Sequence, residues 1–217
     1  GDYTFRASGR NFKVSADMYY KKLDNLNPYT VDNVKIRYYG ENCAEGHAMG
    51  LDVKFFGEFV PGTDSWISFS LMKAQQTIRE TTTVPMANSQ GYNISLFFQD
   101  YFPGYKRVKL NLKGVLSGGL PQTIPGKGYE AGYFRTPAYK RVDIGLSYQL
   151  AGGTDAIMDR GFFRHLKNIW LGLDVFNILD IKNVSSYYWI TDVYNVQYAV
   201  PNYLTGRQLN VRLIVDF

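Results

Sequence analysis

Apolar and polar residues alternate along most of this chain. From Gly206 to Phe217, Leu209, Val211, Leu213, Val215 and Phe217 share one face, and Gln208, Asn210, Arg212 and Asp216 the other. A period of two predicts a β-strand, because successive side chains of an extended backbone point to opposite sides. The same pattern recurs upstream. Ile169, Leu171, Leu173 and Val175 oppose Asn168, Gly172 and Asp174, with Trp170 and Phe176 on that second side. Val142, Ile144, Leu146, Tyr148 and Leu150 oppose Arg141, Asp143, Gly145, Ser147 and Gln149. Further strands are expected at about 107–117, 92–101, 66–77, 51–59 and 12–21, giving about eight, with Tyr3 to Ser8 a partial ninth.

The connections alternate in length. Pro61-Gly62-Thr63-Asp64 and Phe102-Pro103-Gly104 carry turn residues and are short. Those around 23–45, 79–91, 118–137 and 179–205 are long. Short turns on one side and long loops on the other are the pattern of an outer-membrane barrel. The link at about 151–166 is long for its side, and its Arg160-Gly161-Phe162-Phe163-Arg164 stretch suggests an interfacial turn. Phe59, Trp66, Tyr101, Phe102, Tyr105, Phe162, Phe163 and Phe217 fall near strand ends, where amphipathic rings gather at a headgroup layer. Arg107, Lys109 and Lys113 share a face that is awkward for a sandwich core but suits a water-filled lumen.

Composition narrows the functional classes. Aromatic residues make up 16% of the 217 residues and charged ones only 20%, which favours sheet over helical bundle. The formal charge of +5 is spread along the chain, so no basic tract points to nucleic acid. Cys43 is the single cysteine and cannot form an intramolecular disulfide; it reads as a free thiol in a loop or near a strand end. His47 and His165 are far apart and show no metal-ligand spacing, and no nucleophile motif accompanies either. The expectation is therefore a non-enzyme without metal or cofactor. No run of about 18 apolar residues is present to make a transmembrane helix, while a spanning strand needs only about 9–11 residues. Gly1 leads straight into Asp2-Tyr3-Thr4-Phe5 without an initiating Met, as in a mature, truncated or fragmentary chain.

Several segments resemble the C-terminal end of TonB-dependent outer-membrane receptors. They are Trp170-Leu-Gly-Leu-Asp174-Val-Phe-Asn177-Ile-Leu-Asp180, Tyr198-Ala-Val-Pro-Asn-Tyr-Leu-Thr-Gly-Arg207 and the closing run from Gln208 to Phe217. Ile178 stands where the family theme more often has Leu. Pro61-Gly62-Thr63-Asp64-Ser65-Trp66, Leu96 to Gly104 and Ala138 to Gly145 look like family strand and turn segments. The resemblance implies an all-β transmembrane antiparallel barrel of about 22 strands around a plug. Residues 1–217 would be its C-terminal eight or nine strands, without the plug. It further implies TonB-dependent uptake of a nutrient solute (glycan, peptide or metal chelate) across the outer membrane of a Gram-negative bacterium. The aromatic-rich loops are similar to those of Bacteroidota receptors, including SusC-type glycan importers.

The partners expected on that basis are the remaining N-terminal barrel strands and plug, the TonB complex, lipid and lipopolysaccharide, a surface lipoprotein lid, and the barrel-assembly machinery, which would read Phe217. Ligand contact is expected from Tyr129, Tyr133, Phe134 and Arg135 in one long loop, and from Tyr187, Tyr188, Trp189, Tyr194, Tyr198 and Tyr203 in the next. Rigid aromatic side chains give contact area at low ordering cost. Arg107, Lys109, Lys113, Arg141, Asp143 and Arg212 are candidate plug or lumen contacts. Two alternatives stay open: a small self-contained porin or adhesin barrel, and a soluble binding sandwich.

Overall fold

The computed structural model describes residues 1–32, 35–102, 104–152, 155, 161 and 165–217. Nine strands form one antiparallel meander: β1 (Asp2–Ala7), β2 (Arg10–Leu26), β5 (Ala44–Val60), β6 (Thr63–Ile78), β8 (Tyr92–Phe102), β9 (Tyr105–Ser117), β12 (Tyr139–Gly152), β13 (Asn168–Phe176) and β16 (Gln208–Asp216), in that spatial order. The short β7 (Thr82–Pro85) pairs with the end of β6. Three two-stranded hairpins rise from the long connections: β3 (Tyr29–Asp32) with β4 (Lys35–Tyr38), β10 (Pro121–Thr123) with β11 (Tyr133–Arg135), and β14 (Val184–Thr191) with β15 (Gln197–Tyr203). A single 3-10 turn, Tyr129–Ala131, lies between β10 and β11.

The alternation anticipated from sequence sets the faces of the sheet. Lys113 stands opposite Asp143, Asn111 opposite Gly145 and Lys109 opposite Ser147, so the polar positions of β9 and β12 share one side. Gly172 is paired with Arg212 and Asp174 with Asn210, extending that side to β16. On the other side, Leu110 opposes Leu146, and Leu171 opposes Leu213. Many apolar residues of this second side are exposed, among them Met18, Phe69, Leu146 and Leu173. The sheet has no packed interior. Its buried apolar clusters are small: Ala44, Ile78, Val84 and Tyr129 beneath the hairpins, and Ala151 with Leu166 at the opposite end.

Connection lengths follow the expected rhythm. Gly62 and Gly104 take positive φ of 80° each in the short links, a conformation that glycine adopts without a Cβ clash. The Glu58 carboxylate accepts from the Gly62 N–H at 2.5 Å and closes the first of these turns. Pro103 and the Arg160, Phe162, Phe163 and Arg164 positions of the anticipated interfacial turn lie outside the described residues.

The barrel expectation is corrected by the topology. The main sheet is open: β1 and β16 occupy opposite edges, and no pairing joins them. Period-two patterning specifies a two-faced sheet, but it carries no instruction for closure, which depends on pairing the most distant strands of the chain. The transmembrane antiparallel barrel, its reading as the last eight or nine strands of a plugged 22-stranded receptor, and the self-contained porin or adhesin are therefore set aside. So are the expectations that depended on a barrel: TonB-dependent uptake, partnership with N-terminal barrel strands, plug, TonB complex, lipid, lipopolysaccharide or a lipoprotein lid, reading of Phe217 by the assembly machinery, and an outer-membrane location. Among the described residues, no helix is long and apolar enough to cross a membrane.

Candidate binding face

Four neighbouring strands, with β8 alongside, build a depression on the polar face. β9 projects Lys109, Asn111 and Lys113 at successive same-face positions. β8 sets Phe97 opposite Lys113, Gln99 opposite Asn111 and Tyr101 opposite Lys109. Ser147 of β12, Trp170 of β13 and Arg212 of β16 complete a depression of about 390 Å³, also lined by Ile214 and Asp216. Because these side chains stand on hydrogen-bonded strands, their spacing is fixed by the ladder.

The lysines of this depression rest over aromatic rings. Lys109 Nζ lies 4.7 Å from the centroid of Trp170 and 5.1 Å from that of Tyr101. Lys113 Nζ lies 5.8 Å from Phe97, and farther along the face Lys54 Nζ is 5.2 Å from Trp66. Each such contact contributes about 0.5–1 kcal/mol at an exposed site and leaves the positive charge uncancelled. Among the described residues, no carboxylate lies within ion-pair distance of Lys54, Lys109 or Lys113. Asp143, opposite Lys113 in register, is turned elsewhere: it accepts from Arg141 Nε at 2.7 Å and from the Asn177 backbone N–H at 2.8 Å.

The remaining charged residues of the face have structural ties. Arg141 rests 5.4 Å from the Phe176 ring, and its bond to Asp143 raises its pKa further. Arg107 pairs with Asp155, and that guanidinium, together with the Gly152 N–H, holds the Asp155 carboxyl below the usual carboxylate range. Arg212 donates to Ser147 Oγ at 3.1 Å and approaches Asp174 at 3.4 Å, while its buried Nε has no hydrogen-bond partner among the described residues. The six predicted polar-face residues thus divide into two lysines that rest on aromatic rings, with no ion-pair partner among the described residues, and four residues tied by hydrogen bonds or ion pairs.

The predicted loop residues also divide. Phe134 of β11 meets Tyr187 and Trp189 of β14 edge-on at 5.5 and 6.0 Å, so three of them bind two hairpins together. Tyr129 is buried, its hydroxyl has no hydrogen-bond partner among the described residues, and burial pushes its pKa up to about 12. Arg135 donates to the carbonyls of Ser89 and Gly119 at 2.6 and 2.9 Å. Tyr133, Tyr188, Tyr194, Tyr198 and Tyr203 remain exposed, with the Tyr198 hydroxyl 3.3 Å from Asp192. Phe217 is exposed beyond the end of β16.

Sequence reasoning set Trp170 and Asn111 on polar faces without naming either as a site residue, read Tyr101 only as a strand-end aromatic, and gave Phe97 and Gln99 no site role. Their polar-face parity was readable from the alternation, but the strand order that gathers them was not. His47 stacks on Tyr20 at 6.2 Å, away from this depression. Among the described residues, no group of three His, Cys, Asp or Glu side chains is placed to hold a metal ion. No family model matches the chain, and neither the curated proteins nor the solved structures include a significant match, so the likeness to TonB-dependent receptors gains no support.

Proposed function

We propose that the polar face is a non-catalytic recognition surface for a polyanionic solute. The observation that carries this reading is the pair Lys109 and Lys113, seated over Trp170, Tyr101 and Phe97 with no carboxylate within ion-pair distance among the described residues. They stand four steps apart along the strand, a distance of about 13 Å at about 3.3 Å per residue. A ligand with acidic groups at comparable spacing can engage both ammonium groups, while Asn111 and Gln99 between them offer amide donors and acceptors. A rigid sheet spares such a ligand the cost of ordering its site.

The test is a titration with an oligogalacturonate, a polycarboxylate, followed by tryptophan fluorescence in a nonionic detergent that covers the apolar face. A neutral maltooligosaccharide of equal length serves as the comparison. The acidic ligand is expected to bind, to weaken as salt rises because exposed charges are screened, and to lose at least about tenfold in affinity in Lys109→Met/Lys113→Met, about 1.4 kcal/mol at 25 °C. Equal binding of the neutral sugar, or an unchanged affinity in the double variant, would refute the reading. The exposed tyrosines of the β14–β15 hairpin, Tyr188, Tyr194, Tyr198 and Tyr203, are a second candidate contact surface, to be read in the same titration after substitution by serine.

A further inference from the structure

The edge strand β16 is unusual beside its neighbour. Leu209, Val211 and Leu213 are 73%, 69% and 62% exposed, whereas Leu171 and Leu173, on the same face of the adjacent β13, are 41% and 45% exposed. The pairs Leu171–Leu213 and Leu173–Val211 stand directly opposite each other, so local chemistry is matched and only the missing outer neighbour differs. In an antiparallel ladder, every second residue of an edge strand turns its N–H and C=O outward. β16 has nine residues, no lysine and no proline, and its register with β13 runs without a bulge. Shortness, lysine, proline and bulges are among the devices by which sheet edges are ordinarily blunted, and β16 lacks these four; its charged residues are Arg212 and, at its last position, Asp216. Its one cation, Arg212, is turned back over β13 toward Asp174 and Ser147.

The opposite edge differs. β1 has six residues and carries Asp2 and Arg6, with Asp2 paired to Lys13 at 3.1 Å. The two edges are therefore not equally receptive.

We infer that β16 receives an added β-strand from a partner polypeptide: an extended segment of about nine residues with apolar side chains at alternate positions and polar or acidic ones between. Backbone hydrogen bonds supply the attachment, and the alternation sets the register, since a one-residue slip would put apolar side chains on the polar face. A second copy of β16 fits less well, because antiparallel self-pairing centred on the strand sets Arg212 against its own equivalent.

The experiment uses the full chain in nonionic detergent and a fluorescein-labelled nine-residue peptide alternating valine with threonine and glutamate. Saturable binding by anisotropy is expected. It should weaken at least about tenfold when alternate peptide amides are N-methylated on one edge, and equally in the chain variant Val211→Lys/Leu213→Lys. The paired lysines stand on an exposed edge, and near-UV circular dichroism verifies that the fold is kept; Leu209→Lys alone provides a milder second variant. A scrambled peptide binding as well as the alternating one would overturn the inference, as would undiminished binding to both edge variants. Absence of binding would also overturn it. So would concentration-dependent self-association that the edge lysines abolish while the peptide is ignored, since the occupant would then be a second copy.

Discussion

Gly172 and Gly114 offer a matched test of how tightly the two faces are packed. Both glycines lie inside strands of the same sheet. A Cβ built at Gly172 would stand 2.5 Å from Arg212 Nε and 2.7 Å from Arg212 Cγ, close enough that the whole arginine side chain must move. At Gly114 the nearest atom is Leu96 Cβ at 3.8 Å, an ordinary contact. Replacing glycine by alanine in a strand gains about 0.5–1 kcal/mol through the unfolded chain, and Gly114→Ala is expected to realise it. Gly172→Ala has the same gain but breaks the 3.1 Å bond from Arg212 to Ser147 and the 3.4 Å approach to Asp174. It leaves the buried Asp174 carboxylate, among the described residues, with the 3.5 Å contact from Asn210 Nδ2. A charged hydrogen bond contributes about 1.5–3 kcal/mol, and solvent at the half-exposed guanidinium reduces this to about 1–2 kcal/mol. Gly172→Ala should therefore unfold more easily than Gly114→Ala by about 1–2 kcal/mol, read from guanidinium denaturation monitored by tryptophan fluorescence. Equal midpoints and slopes for the two variants would refute the reasoning.

Two other outcomes are expected. Asn183 accepts from the Lys140 N–H and donates to the Lys140 carbonyl, both at 2.8 Å, clamping the base of the β14–β15 hairpin to β12. Asn183→Ala should speed proteolytic cleavage within 184–203 by about tenfold, the consequence of losing about 1.4 kcal/mol from local closure; unchanged cleavage would show that the clamp is unimportant. For Tyr129, the folded pKa of about 12 lies above the usual value of 10.0, so the folded state binds its proton more tightly than the unfolded one. Stability from this group is whole below about pH 10 and falls as pH rises toward 12. Tyr129→Phe removes a buried hydroxyl without a partner, and should equal or exceed the wild type at neutral pH while showing a smaller loss between pH 10 and 12; a loss of stability at pH 7 would show that the hydroxyl has a partner.

Much of the sheet was legible because its code is local. The alternation of Leu209, Val211, Leu213 and Val215 against Asn210 and Arg212 fixes both strand and face, and the structure places them so. Boundaries were less legible: β2 runs to Leu26 and β5 begins at Ala44, beyond the regular alternation, because their ends are held by pairing with one another rather than by periodicity. The β3–β4 and β10–β11 hairpins escaped detection since their strands are only three or four residues long, too short for a period to register, and β14 and β15, though eight and seven residues long, lack a regular apolar–polar alternation. Closure was misread because nothing in a strand's own residues states whether its outer edge finds a neighbour. The polar surface was half legible. Lys109 and Lys113 announced themselves by charge, but Trp170 joins them only through the order of β9, β12 and β13.

The meander has an implication for how this molecule can vary. Every neighbour in the main sheet is the next main strand along the chain, and the β3–β4, β10–β11 and β14–β15 hairpins all spring from connections at the same end. Frame and ornament are therefore encoded in separate stretches of sequence. A change of hairpin length leaves the order of these pairings as it is, but the β10–β11 connection carries Tyr129 into the cluster with Ala44 and Ile78, so that connection is coupled to the ends of β5 and β6.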